Sequence, residues 1–431
     1  MRKVFTLPLN NVSEFSSQLL QWAQQFDKVC YLNSNQTKAR YSTFDLLVAV
    51  GALSEITPSQ GKCFETLQQF YDQKKDWLFG FLSYDLKDEI ENLSSENIDF
   101  IEFPLLHFFQ PKYVFIIEKN ILKIEYFENY FSDEQIQNLP NEILAFKKNN
   151  FSETTNKIEI KSRINKAEYL QTVCKIKEHI KRGDVYELNF CQEFYAKNVA
   201  INPFEIYQKL NTISPNPFSV FYKLNNKYLL SASPERFLKR VGNKIISQPI
   251  KGTSKRGENE LEDEIFKKNL FNDQKERNEN VMIVDLVRND LSRIASRGSV
   301  KVEELFGIYS FTFWHQMIST ITATVSDKIS FSEILKNTFP MGSMTGAPKI
   351  KAMQLIEELE SSRRGLYSGA VGYISPSGDF DFNVIIRSIL YNENAKYLSF
   401  MAGGAITDKS IPEREYEECL LKAKGMIHAL K

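Results

Sequence analysis

At 431 residues the chain is long enough to bury a sizeable core, as one large or two ordinary domains. Lys+Arg and Asp+Glu both number 54, so no net field draws nucleic acid or an anionic membrane, and neither is an expected partner. The five cysteines form no Cys-x-x-Cys pair, which argues against a zinc site and for a reducing compartment, and no apolar run reaches signal-peptide or membrane-spanning length, so the sequence predicts a soluble cytoplasmic protein.

In chain order, residues 1–150 mix short strand-like and helix-like pieces, the clearest being the apolar strand within Trp77 to Asp85. The polar stretch from Lys147 to Lys157 is the best linker candidate, separating an N-terminal region, 1–150, from a second region, 160–431. Asn165 with Glu168 three places on forms a capping box and Gly183 a stop, which predicts a helix over 166–182 followed by a strand from Tyr186 to Cys191. Ser233 to Val241 and Lys244 to Lys251 read as two strands about a Gly242-Asn243 turn. A two-residue loop sets Glu235 opposite Ile250 and leaves Lys251 on the other face. One extra loop residue, or a bulge near Pro249, puts Glu235 and Lys251 opposite each other. A carboxyl group facing an amine there is either an acid beside a nucleophile or a cross-strand ion pair.

From about Glu258 to Ile294 the pattern is helical and carries Glu276 and Glu279 on one face; a last helix from about Pro412 carries Glu415 and Glu418 in the same way. Two acidic pairs on two helices either hold a hard divalent ion or are solvated helix faces. Between them, Met341 to Lys349 leads into a helix; its glycines and proline fit an anion-binding turn or a purely structural one, and the Gly-Lys-Ser/Thr ending of a P-loop is missing. Three strand patterns follow: Leu366 to Ser375, Phe380 to Tyr391 and Tyr397 to Ile406. Arg387 falls within the second, among Val384, Ile385, Ile386 and Ile389, where a buried charge requires either a carboxylate ligand or an internal acid.

Taken jointly, Ser233-Pro234-Glu235, Pro249-Ile250-Lys251-Gly252-Thr253, Asp285 to Leu291, Gly342 to Lys349, Gly369 to Tyr373, Ile386-Arg387-Ser388 and Ala402-Gly403-Gly404 resemble the chorismate-utilising enzymes. That family includes anthranilate, aminodeoxychorismate, isochorismate and salicylate synthases. The resemblance spans roughly 165–425 and is weaker before it. It implies an α/β fold of the α+β type, similar to anthranilate synthase component I: antiparallel β-sheets in a sandwich flanked by helices, with the active site between strands and the two acidic helices. Lys251 stands where anthranilate synthases carry alanine and aminodeoxychorismate synthases carry lysine, so the resemblance points to the aminodeoxychorismate branch. Another chorismate enzyme, above all the anthranilate synthase large subunit, is the nearest alternative; a silent chorismate-binding or partner-binding subunit is the non-enzymatic one.

The resemblance also implies roles. Lys251 is the expected nucleophile and Glu235 the acid; Glu279 and Glu418 are the expected Mg²⁺ ligands, with Glu276 and Glu415 as neighbouring carboxylates. Arg387 is expected to clamp the enolpyruvyl carboxylate with Tyr367 and the backbone of Gly403, Gly404 and Ala405, while Gly252 and Thr253 contact substrate. His315 falls at the family's active-site histidine, although on its own it reads as a packed core residue. Ala405 replaces a usual glycine. Glu187 stands where ammonia-using members carry glutamine, and is expected to hold or deprotonate incoming ammonium. The implied substrates are chorismate and ammonia. No amidotransferase segment is recognisable, so use of glutamine is expected to need a separate glutamine amidotransferase subunit. An unshifted lysine, with a pKa of about 10.4, is neutral only about once in a few thousand molecules at pH 7, a penalty of roughly 4.6 kcal/mol that the site must offset.

Overall fold

The computed structural model describes residues 2–37, 40–147 and 158–431. Apart from Lys147, the predicted linker lies outside the described residues. The chain is a mixed α/β protein in which twenty strands join one antiparallel hydrogen-bonded network, with eleven α-helices among the described residues. None of those helices is long and apolar enough to cross a membrane.

Period-two alternation within single strands sorts the side chains into layers. Cys30 faces a core built from strands and their connections, while Val29 and Tyr31 face the other way. Leu47 and Ala49 alternate likewise with Leu46, Val48 and Val50, and Phe79 and Phe81 with Leu78 and Leu82. The strands are therefore apolar on both faces. One outer face is closed by helices that include Val12–Ala23, Lys166–Arg182 and Pro412–Ala429, the other by Cys63–Lys74, Gln274–Ser292 and Phe331–Thr338. This is the helix-flanked sandwich expected from the resemblance. Strands of the first 150 residues sit in the middle of the pairings: Lys28–Asn33 pairs with Phe218–Leu224, and Leu78–Leu82 with Ala370–Ile374.

The capping box of Asn165 and Glu168 opens the Lys166–Arg182 helix and left-handed Gly183 closes it, as predicted. The strand predicted over Phe380 to Tyr391 is instead two, Phe380–Asn383 and Ser388–Asn392, and Arg387 lies in the gap with φ +51° rather than within a strand. The partner strands Lys227–Ser233 and Arg236–Val241 break at the same level, where Pro234 has no N–H to continue the ladder. The two gaps hold each other: Ser233 Oγ donates to the Val384 carbonyl (2.6 Å), and Val384 N–H to the Glu235 carbonyl (3.0 Å). The first pattern of this region is likewise shorter than predicted, its strand beginning only at Ala370.

The Gly242-Asn243 turn is a two-residue loop with Val241 opposite Lys244, but the register differs from both alternatives read in the sequence. A bulge between Arg236 and Lys239 sets Arg236 opposite Gln248, which moves Glu235 away from Lys251 along the ladder rather than toward it. The strand then stops at Gln248, where its pairing with Arg236–Val241 ends, and Ile250–Lys255 continues along the neighbour it shares with Lys244–Gln248, the strand Trp314–Thr324. Within that pairing a second bulge falls between Ile250 and Thr253, at Lys251 and Gly252, and Gly252 takes φ +94°.

Candidate active site

The bulge at Lys251 and Gly252 re-aims the lysine out of the regular ladder. Its Nζ donates to Oε1 of Glu187 at 2.8 Å, with both side chains buried. Glu187 opens the strand Glu187–Lys197, whose first residues pair with Gly346 and Ala347. Lys251 is thus ion-paired with Glu187, a residue 64 positions away, and not with Glu235, because the hairpin pairing ends at Gln248 and the bulge at Lys251 and Gly252 turns the lysine aside. Burial disfavours the ammonium, but the charges of Glu187, Glu279 and Glu235 outweigh it and hold the Lys251 pKa above its ordinary value. Gly252 is required twice over: its φ is left-handed, and a Cβ there would press to 3.2 Å on Glu276 Oε2 and Leu270.

Glu235 is buried and accepts from Ser343 Oγ at 2.7 Å. Burial pushes its pKa up to about 7, against the opposing effects of Ser343, the Lys251 charge, the Ile250 N–H and the Arg387 charge. The Arg387 guanidinium has no hydrogen-bond or ion-pair partner among the described residues; burial lowers its pKa to about 10, with Glu235 the charge that opposes this. Of the two alternatives read in the sequence, the internal acid is Glu235, near enough to be felt but not bonded. The guanidinium remains free to bind an anion.

The two acidic pairs approach from opposite helices. Asp273 caps Gln274–Ser292, placing Glu276 in its first turn, and Glu415 lies in the first turn of Pro412–Ala429, where the positive helix end favours acids. A Cβ on Gly404 would lie 3.6 Å from Glu415 Oε2, Glu418 Oε1 and Lys422 Nζ alike, so these three groups converge there. Glu276 is pushed up first by burial and also by the Glu418 charge. Burial raises Glu279 to about 7, and its Oε1 is buried without a hydrogen-bond donor, with Lys275 Nζ at 3.7 Å. Lys422 Nζ lies 2.8 Å from Glu418 Oε1 and donates to the Gly403 carbonyl at 2.9 Å; its charge is the main reason Glu418 is pulled below the usual range. Among the described residues no three such ligands stand close enough to hold a metal ion as they are. An all-carboxylate donor set with an orphaned buried oxygen nevertheless fits a hard divalent cation in kind.

The other predicted site residues are placed as follows. Gly403 and Ala405 pair with Cys191 and Asn189, and a Cβ on Gly403 would collide with the Phe190 carbonyl, so the two strands depend on glycine there. The Tyr367 hydroxyl lies 3.3 Å from Cys191 Sγ on the Glu187 strand. Thr253 is exposed. The His315 ring nitrogens meet Ser310 Oγ and Asp263 Oδ1, each at 2.9 Å, and among the described residues neither is hydrogen-bonded to Lys251, Glu235, Arg387 or the acidic pairs. Sequence reasoning missed Ser343, Lys275 and Lys422. Lys422 carried a signal, four residues after Glu418 on one helix face; Ser343 lies within the Gly342 to Lys349 stretch that carries the resemblance, but its contact with Glu235 exists only in the fold.

Residues 27–428 match the family of chorismate binding enzymes. Over 271 residues the chain is 38% identical to anthranilate synthase component 1 of Aquifex aeolicus, covering 63% of this chain and 54% of that protein, so it spans about half the length of that relative. Over 362 residues it is 31% identical to aminodeoxychorismate synthase component 1 of Bacillus subtilis, covering 82% and 76%. The crystal structure of anthranilate synthase component I from Streptococcus pneumoniae superposes with a TM-score of 0.77 at 26% identity, covering 91% of this chain and 94% of that one. The chain belongs to the chorismate binding enzyme family.

Proposed function

We propose that the chain is an aminodeoxychorismate synthase, which converts chorismate and ammonia to 4-amino-4-deoxychorismate, the ammonia being supplied from glutamine by a separate amidotransferase subunit. The observation that carries this reading is Lys251 itself: a buried amine in a bulge, facing carboxylates, with the acid Glu235 and the unpaired Arg387 beside it. Arg387 binds the enolpyruvyl carboxylate, which gives its guanidinium the partner it lacks among the described residues. The neutral amine of Lys251 attacks C2 of the ring as the C4–O bond breaks. Glu235, whose pKa of about 7 keeps much of it protonated near neutral pH, delivers its proton to the departing oxygen, which leaves as water. Ammonia then forms the C4–N bond while the bond from C2 to Lys251 breaks, and the new ammonium group returns a proton to Glu235.

Glu279 and Glu418, with Glu276 and Glu415 beside them, would hold Mg²⁺. The bound ion supplies positive charge for the ring carboxylate and offsets the carboxylates that keep Lys251 protonated. The test is to mix purified protein with chorismate, Mg²⁺ and an ammonium salt and to identify the product by mass. 4-Amino-4-deoxychorismate is expected. Anthranilate or isochorismate as the main product would overturn the reading.

A further inference from the structure

We infer that Glu187 is a catalytic base that takes the proton of Lys251 and stores it through the covalent stage, a role that rests on the function proposed above. The geometry is direct. Nζ of Lys251 and Oε1 of Glu187 are 2.8 Å apart, a hydrogen bond along which a proton can pass without either group moving. Oε2 of Glu187 is buried and has no hydrogen-bond donor among the described residues, so a proton can settle on this carboxyl group without breaking another bond. The other carboxylates whose charges act on Lys251 are already committed: Glu235 is hydrogen-bonded by Ser343 and needs its own proton for the leaving oxygen, and Glu276, Glu279 and Glu418 belong to the two acidic helix pairs. Among the described residues, Glu187 is the only carboxylate hydrogen-bonded to the nitrogen of Lys251.

The proton balance closes. Substrate entry transfers one proton from the Lys251 ammonium to Glu187, leaving a neutral amine and a neutral carboxyl. The amine bonds to C2 and becomes a secondary ammonium; when ammonia displaces it, the C2–N electron pair returns to nitrogen and the amine is again neutral. The proton on Glu187 then returns to Lys251, restoring the ion pair. Glu235 supplies the proton lost in water and regains one from the product nitrogen.

The test measures ammonia-dependent chorismate consumption from pH 6 to 9 by the wild type, Glu187→Gln and Glu187→Asp, alongside labelling of Lys251 by an amine-directed acylating reagent, read by mass spectrometry. The Gln variant is expected to lose about 100-fold in kcat at pH 7 with little change in the KM for chorismate, and to recover as pH rises and solvent hydroxide replaces the missing base. Its Lys251 should nevertheless label at least as fast as in the wild type, since it has lost the ion pair, a combination that a misplaced lysine would not produce. The Asp variant, one methylene short, should fall between. A Gln variant as fast as the Asp variant, or labelling and turnover that rise together, would overturn the proposal by showing that Glu187 only restrains the lysine. Should the Gln variant fail to fold, an Asp variant at the wild-type rate at every pH would overturn it as well. Because consumption is counted whatever the product, an unexpected product from the wild type would sink the assignment of function while leaving the order of the variants to judge Glu187.

Discussion

Two buried ion pairs lie close together and are built to opposite ends. Arg364 and Glu360 form a bidentate pair (2.7 and 2.9 Å), and the guanidinium also donates to the carbonyls of Met344 and Asn189 and lies 4.7 Å from the centre of the Tyr84 ring. Glu360 takes the Cys191 N–H as well, so hardly any bonding capacity is left over. Lys251 and Glu187 share one hydrogen bond, and around them Glu187 Oε2, Glu279 Oε1 and the whole Arg387 guanidinium lack hydrogen-bond partners among the described residues. A saturated pair can only hold the fold, whereas an unsaturated one is a binding surface whose partners have yet to arrive.

That contrast can be broken in four places. Replacing Lys251 with Ala should abolish turnover by on the order of 10³-fold, measured as chorismate consumption with ammonium; a slow but substantial residual rate would mean that ammonia attacks directly and that the lysine is dispensable. Arg364→Ala strands Glu360 in the core and should cost about 3–5 kcal/mol in urea unfolding; a loss below about 1 kcal/mol would remove the distinction between the two pairs. Arg387→Met should raise KM for chorismate by about 100-fold, the loss of a charge-assisted contact, while leaving unfolding stability unchanged or higher by about 1 kcal/mol, since the charge it removes has no partner among the described residues. The fourth place is Glu235, where the effect is seen only as a slope against pH. Its folded pKa of about 7 lies above that of an unfolded glutamate, so the wild type binds an extra proton when folded and loses stability as pH rises through this window. Relative to Glu235→Gln, its stability should therefore be level below about pH 4, fall by about 3 kcal/mol toward pH 7.5 and level off above; a flat difference across that range would contradict the buried-acid assignment.

Local rules made much of the scaffold legible. The capping box at Asn165, the two acidic helices and the Gly242-Asn243 turn all lie where residue pattern places them, because each is decided within a few residues. What the pattern could not reveal is decided by neighbours far along the chain. The predicted strand through Arg387 is interrupted because residues 384 and 387 bond to Glu235 and Ala232 across a matching break, and Val-Ile-Ile reads as strand whether or not that break exists. The hairpin pattern offers Lys251 the cross-strand Glu235, but the bulge after Pro249 turns the lysine toward a strand that begins 64 residues earlier. The sequence showed the chemical groups; which of them would meet was set by two bulges.

The interleaved pairing also constrains how the protein comes to be. The wholly buried strand Leu78–Leu82 pairs on one side with Leu106–Glu118 and on the other with Ala370–Ile374. At the usual ribosomal pace of about 5–20 residues per second, the second partner emerges roughly 15–60 s after the first strand has been made. During that interval an apolar edge stands open to any passing strand, so the nascent chain is a natural client for a holding chaperone, and an isolated N-terminal fragment is expected to aggregate when expressed alone.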